Sequence, residues 1–127
     1  MSEPLIIIDS SRIREGKFED LLEAMNRLEA FVEANEPRMI TYRVYLDPGN
    51  TTVTVLQIHP DTASAENHMQ VAATAFSGFG DLIWMSRIDV YGEASPSLLA
   101  RLRAKASMLG GGSMMVHHLH MGFHRFR

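Results

Sequence analysis

The chain opens on an apolar run, Leu5-Ile6-Ile7-Ile8, that does not alternate with polar residues. Such a β-branched run predicts a strand covered on both faces. Phe18, Leu21, Leu22, Met25, Leu28 and Val32 then recur at helical spacing, with Glu19, Asp20, Glu23, Arg27 and Glu33 between them. This pattern predicts an amphipathic helix over roughly residues 15–35, and Pro37 forbids its continuation. From Arg38 to Asp47 the chain alternates, with Ile40, Tyr42, Val44 and Leu46 on one face and Met39, Thr41, Arg43 and Tyr45 on the other. Pro48-Gly49-Asn50 is a turn, and the β-branched run Thr51 to His59 completes a hairpin.

Asp61 is placed to cap the next helix, whose inner face holds Ala65, His68, Met69, Ala72 and Phe76 and which should end near Ser77-Gly78. Leu82 to Tyr91, rich in Ile, Val, Trp and Tyr, predicts a fourth strand. Ser95 followed by Pro96 starts a helix with Leu98, Leu99, Leu102 and Leu109 on its apolar side, and Gly110-Gly111-Gly112 stops it. Met115 to Phe126 reads as a fifth strand, with His118, His120 and His124 on one face and Leu119, Met121 and Phe123 on the other.

The expected order is β-α-β-β-α-β followed by an extra C-terminal α-β unit: an α+β, ferredoxin-like fold in one domain spanning residues 1–127. Such a sheet carries its helices on one face. Strand one is nevertheless apolar on both sides, and strand two offers Met39 and Tyr45 to the second face. A second copy packed through a two-fold axis would cover it, so a homodimer is expected.

Composition narrows the function classes. Twelve Lys+Arg against fifteen Asp+Glu give a net charge of −3, without the global basic field of a nucleic-acid binder. No apolar run approaches the ~20 residues of a membrane helix. The start Met1-Ser2-Glu3-Pro4 lacks the order of a signal peptide, so no membrane partner and a cytoplasmic location are expected. With no cysteine, thiolate zinc sites and cysteine nucleophiles are excluded. Nine methionines mean either a loosely specified core or an adaptable pocket. The small net charge hides an asymmetry: Glu15 to Glu36 holds seven acids and two bases, whereas the residues after Glu93 hold five bases and no acid. That basic end disfavours a cation at the histidine-rich strand, despite its metal-like spacing, so no metal is expected. There is no phosphate loop, nucleophile elbow or internal repeat.

His68 is the most informative residue, because it falls on the apolar face of its helix. It is either a core histidine satisfied by one hydrogen bond or a general base at the edge of a pocket. Tyr42 and Trp84 could wall the same cavity, as a flat ligand requires, or be plain core. Arg43 and Arg87 each interrupt an apolar strand, and need a carboxylate partner in the protein or in a ligand.

At this point His68-Met69-Gln70 through Phe76, and Asp89-Val90-Tyr91-Gly92 with the Ser95-Pro96-Ser97 cap, resemble the dimeric α+β barrel superfamily. Within it they resemble the antibiotic biosynthesis monooxygenase-like group. The resemblance covers nearly the whole chain in element order. Ala73 stands where a further histidine often sits in that group. Asn67 is followed four residues later by Val71 rather than by the Trp of cofactor-free and haem-degrading members. The resemblance implies a small hydrophobic or aromatic ligand, held between helices and sheet without metal or organic cofactor. It further implies a cofactor-independent monooxygenase acting on aromatic or polyketide-like substrates, with His68 as the catalytic base and Tyr42, Trp84, Phe76, Met69 and Arg87 binding substrate. The alternatives are a non-catalytic ligand-binding or stress-related dimer, and a haem- or metal-handling protein.

Overall fold

The structure, a computed structural model, describes residues 3–126, with the backbone alone for Ser77. Five strands, β1 (Leu5–Ile13), β2 (Thr41–Leu46), β3 (Thr52–His59), β4 (Ile83–Tyr91) and β5 (Ser113–His117), form one sheet in the order β2-β3-β1-β4-β5. All pairings are antiparallel except that of β4 with β5. Four helices, α1 (Phe18–Asn35), α2 (Thr62–Val71), α3 (Ala73–Gly78) and α4 (Pro96–Met108), connect the strands, with a 3-10 turn at Phe79–Asp81. This is the expected ferredoxin-like arrangement with an added α-β unit.

Strand periodicity of two decides what each face carries. Leu5, Ile7, Asp9 and Ser11 of β1, and Val53, Val55, Gln57 and His59 of β3, are buried toward the helices. Against them α1 packs Leu21, Met25, Leu28 and Val32, and α4 packs Leu98, Leu102 and Ala106. The alternate residues form the opposite sheet face, where Ile6 pairs with Ile58 and Ile8 with Leu56. Tyr45, Trp84, Tyr91 and Met115 stand exposed there. Within one chain, nothing among the described elements covers this apolar face.

Local signals act as their chemistry dictates. The Asp61 carboxylate accepts from the Ser64 N–H at 2.9 Å, and the Ser95 hydroxyl accepts from the Leu98 N–H at 3.0 Å. Thus α2 and α4 start where capping residues precede them. The hairpin turn is closed by Asp47, whose carboxylate takes the N–H groups of Thr51 and Thr52.

Three expectations are corrected. The single helix expected after Asp61 is two, because Ala72 leaves helical geometry at φ −96°, ψ 5°. Met39 precedes β2 and packs on the core instead of the second sheet face. The fifth strand covers Ser113–His117 only. Its neighbour β4 ends at Tyr91, and Gly92, at φ 119°, donates to the His117 carbonyl as the last rung. Residues 118–126 therefore run beyond any pairing partner, and His118, His120 and His124 share no strand face. Among the described residues, no three His, Asp or Glu side chains are grouped to hold a metal ion.

Candidate functional site

Polar residues lie in register with the apolar faces just described, so folding carries them into the interior. Asp9 follows Leu5 and Ile7 on β1; Gln57 and His59 follow Val53 and Val55 on β3; Glu36 continues the Leu28, Val32 stripe of α1. Lys105 shares the Leu98, Leu102 face of α4, and His68 the Ala65, Met69 face of α2. All six are buried. Buried polar groups must find partners, and they sort into three sets.

The first set is His68 with Glu36. The imidazole Nδ1 lies 2.9 Å from both Glu36 carboxylate oxygens, and both side chains are almost wholly enclosed. A carboxylate can only accept, so Nδ1 carries a proton and Nε2 is the ring nitrogen that Glu36 leaves free. That Nε2 is buried and has no hydrogen-bond partner among the described residues. The second set is His59, held between the Ser64 hydroxyl at Nδ1 (2.8 Å) and the Gln57 amide oxygen at Nε2 (3.0 Å). Burial, with His68 nearby, pulls its pKa down to about 3, so this imidazole stays neutral. The third set is Asp9 with Lys105, 3.6 Å apart. Burial pushes the Asp9 carboxyl above its usual range while the lysine opposes the shift. Lys105 Nζ also lies 4.2 Å from the Phe76 ring centroid.

Around His68 stand Phe76, Tyr42 and His59, with ring centroids at 5.5, 6.0 and 6.0 Å. Burial, reinforced by Asp9 and Glu36, raises the Tyr42 phenol well above its ordinary pKa, so it remains a neutral hydroxyl. His68, Lys105, Asp9, Tyr42, Met25 and Met85 border a cavity of about 30 Å³, room for about one water molecule. Two of its walls are methionines, the side chains best able to change rotamer for a ligand.

Of the residues singled out in the sequence, His68, Tyr42 and Phe76 therefore meet at one cavity. Met69 is buried on the same helix but does not border it. Trp84 and Arg87 lie elsewhere, on the open sheet face, because both have strand parity opposite to the buried Ile83 and Ile88. Trp84 carries the Arg14 guanidinium 4.3 Å above its ring. Arg87 grips Asp89 through two hydrogen bonds of 2.6 and 2.9 Å, which answers its need for a partner within the chain. Asp89 also accepts from His117 Nε2 at 2.9 Å. Glu36, Asp9, Lys105, Gln57 and His59 were not anticipated from the sequence. Each nevertheless carries the signal that marked His68, a polar residue in phase with an apolar face.

No sequence-family profile matches the chain, and no curated protein matches it in sequence. Solved structures match it in shape. MupZ from Pseudomonas fluorescens superposes with a TM-score of 0.73 at 18% identity, over 98% of this chain and 91% of its own. A Bacteroides thetaiotaomicron protein provisionally described as an antibiotic biosynthesis monooxygenase reaches 0.61 at 16% identity, over 74% of this chain and 90% of its own. A Caulobacter crescentus protein with the same provisional description reaches 0.62 at 15% identity, over 70% and 86%. The fold is that of the antibiotic biosynthesis monooxygenase-like proteins. This ferredoxin-like α+β fold is what the β-α-β-β-α-β order implied. At these identities the antibiotic biosynthesis monooxygenase-like fold leaves the chemistry to be argued from the cavity itself.

Proposed function

We propose that the protein is a homodimeric, cofactor-independent monooxygenase that removes a proton from a small electron-rich aromatic or polyketide-like substrate at the cavity beneath His68. The observation that carries this reading is the buried Nε2 of His68, which has no partner among the described residues, on an imidazole that Glu36 holds at Nδ1. A buried lone pair without a donor costs free energy in the resting protein. An acidic C–H or O–H of a ligand supplies that donor, and a base within reach of the proton is the first requirement of general base catalysis.

For an anthrone-like methylene, Nε2 takes one C–H proton and leaves a carbanion delocalised over the aromatic system and its carbonyl. The Lys105 ammonium is the cation nearest to hand for the resulting oxyanion, and Asp9 and the face of Phe76 hold that ammonium in place. The carbanion passes an electron to dioxygen, and the two radicals combine into a carbon-bound peroxide. The imidazolium returns its proton to that peroxide. Loss of the second C–H proton with hydroxide breaks the O–O bond and yields a carbonyl and one water. One dioxygen is consumed per methylene oxidised, and the substrate is the sole reductant. The protein contributes orientation and proton transfer.

The open sheet face supports the homodimer, since a second copy would bury Ile6, Ile8, Leu56 and Ile58. The provisional monooxygenase descriptions of the structural neighbours support the reaction class. Oxygen uptake with 1,8-dihydroxyanthrone tests it: the wild-type protein should consume oxygen and release the quinone, and His68→Ala should not. Equal uptake by both would remove His68 from the reaction.

A further inference from the structure

We infer that the groove between α1 and α3 is the second half of the substrate site and holds an elongated, uncharged apolar tail, while the acidic head of the same molecule reaches His68. This inference rests on the proton-abstraction reading and adds the shape of the substrate to it. The groove is an open depression of about 760 Å³, against about 30 Å³ for the inner cavity. Two side chains, Leu28 and Phe79, border both spaces, so they are a shared wall between an outer room large enough for a drug-sized molecule and an inner one that meets the base. Both are apolar, so a rotamer change at either breaks no side-chain hydrogen bond.

The groove's chemistry selects the tail. Phe31 and Val71 are large apolar residues left 41% and 37% exposed, and both border it, with Ala24 and Ala75 between them. Its charged rim does not invite an anion. Asp20, Glu23 and Asp81 outnumber Lys17 and Arg27, and Arg27 is already committed to Glu23 at 2.8 Å. A substrate with a phenolic or enolic head and a hydrocarbon or neutral polyketide chain matches both rooms. A tail that ends in a carboxylate does not match the acidic rim.

The test uses 4-alkylphenols below their micellar concentrations, with ethyl, butyl, hexyl and octyl chains. Binding is followed by calorimetry and by the imidazole signals of His68 in ¹⁵N-labelled full-length protein. The dissociation constant should fall roughly tenfold or more from the ethyl to the octyl compound, a fraction of the gain expected from full burial of those methylenes. The exposed substitution Ala75→Trp, and independently Ala24→Trp from the opposite wall, should abolish the dependence on chain length, so that the ethyl and octyl compounds bind each variant alike. If 4-ethylphenol perturbs His68 but affinity ignores chain length, or length dependence survives both tryptophans, the groove is not the tail site and the inner-site reading stands. If no phenol perturbs His68, the inner-site reading fails and the groove inference falls with it.

Discussion

His68 presents Nδ1 to both oxygens of Glu36 at 2.9 Å, and this pairing leaves Nε2 as the nitrogen proposed to act as a base. Glu36 is a positioning residue, so its loss should be visible at the imidazole before it is visible in turnover. In Glu36→Ala, Nδ1 loses its one partner among the described residues, at a cost of about 1–3 kcal/mol. Turnover should drop about 10²-fold, the low end of what a well-placed base contributes. The ¹⁵N shifts of His68 should show Nδ1–H in the wild type and a mixture of tautomers in the variant; an unmixed Nδ1–H signature in Glu36→Ala would show that the carboxylate does not set the tautomer.

Lys105 and Asp9 can be separated into structure and chemistry by a paired substitution. Lys105→Met alone strands a buried carboxylate and should destabilise by about 3–5 kcal/mol. Adding Asp9→Asn removes the stranded charge and should recover most of that loss in denaturant unfolding. Turnover should stay low in the double variant if Lys105 is the cation that meets the oxyanion, as proposed. Full activity in a stable double variant would reduce the ion pair to a structural feature.

The fold was legible because its signals are local. Asp61, Ser95-Pro96 and the apolar stripe from Leu21 to Val32 each specify an element without reference to distant residues. The cavity was only half legible: His68 announced itself by sitting in an apolar phase, whereas Glu36, 32 positions away, becomes its partner only when the fold brings the end of α1 to α2. Trp84 shows the reverse. Its aromatic character suggested a pocket wall, but strand parity turned it to the open face, and the bulge where the β1–β4 register shifts between Ser10 and Ser11 is not marked by any residue type. The histidine-rich end failed as a strand for a reason outside its own sequence, since β4 ends before it.

Acid should destabilise the protein through His59. Its folded pKa, about 3, lies below its ordinary value of 6.5, so between those values the unfolded chain binds the proton and the native one does not. Stability is therefore fully present above about pH 6.5 and declines as pH falls toward 3, by at most about 1.4 kcal/mol per pH unit from this group. His59→Gln should flatten the stability profile over that window in urea titrations. An unchanged slope would mean that His59 is protonated in the native state.

The open face predicts the assembly. The wild-type protein should sediment as a dimer at micromolar concentration, and Leu56→Glu, at the centre of that face opposite Ile8, should sediment as a monomer with an unchanged far-ultraviolet circular dichroism spectrum. A wild-type monomer throughout a concentration series would leave the face without its proposed partner.

Proton abstraction by His68 is tested most directly without oxygen, where oxidation cannot follow. Under nitrogen in D₂O, the methylene protons of 1,8-dihydroxyanthrone can be followed by ¹H NMR as they exchange. The wild-type protein should accelerate their loss above the buffer rate, and His68→Ala, folded by circular dichroism, should bring it down by about 10²-fold or more. Exchange at the wild-type rate in His68→Ala, or no acceleration by the wild type at all, would contradict the assignment of His68 Nε2 as the base.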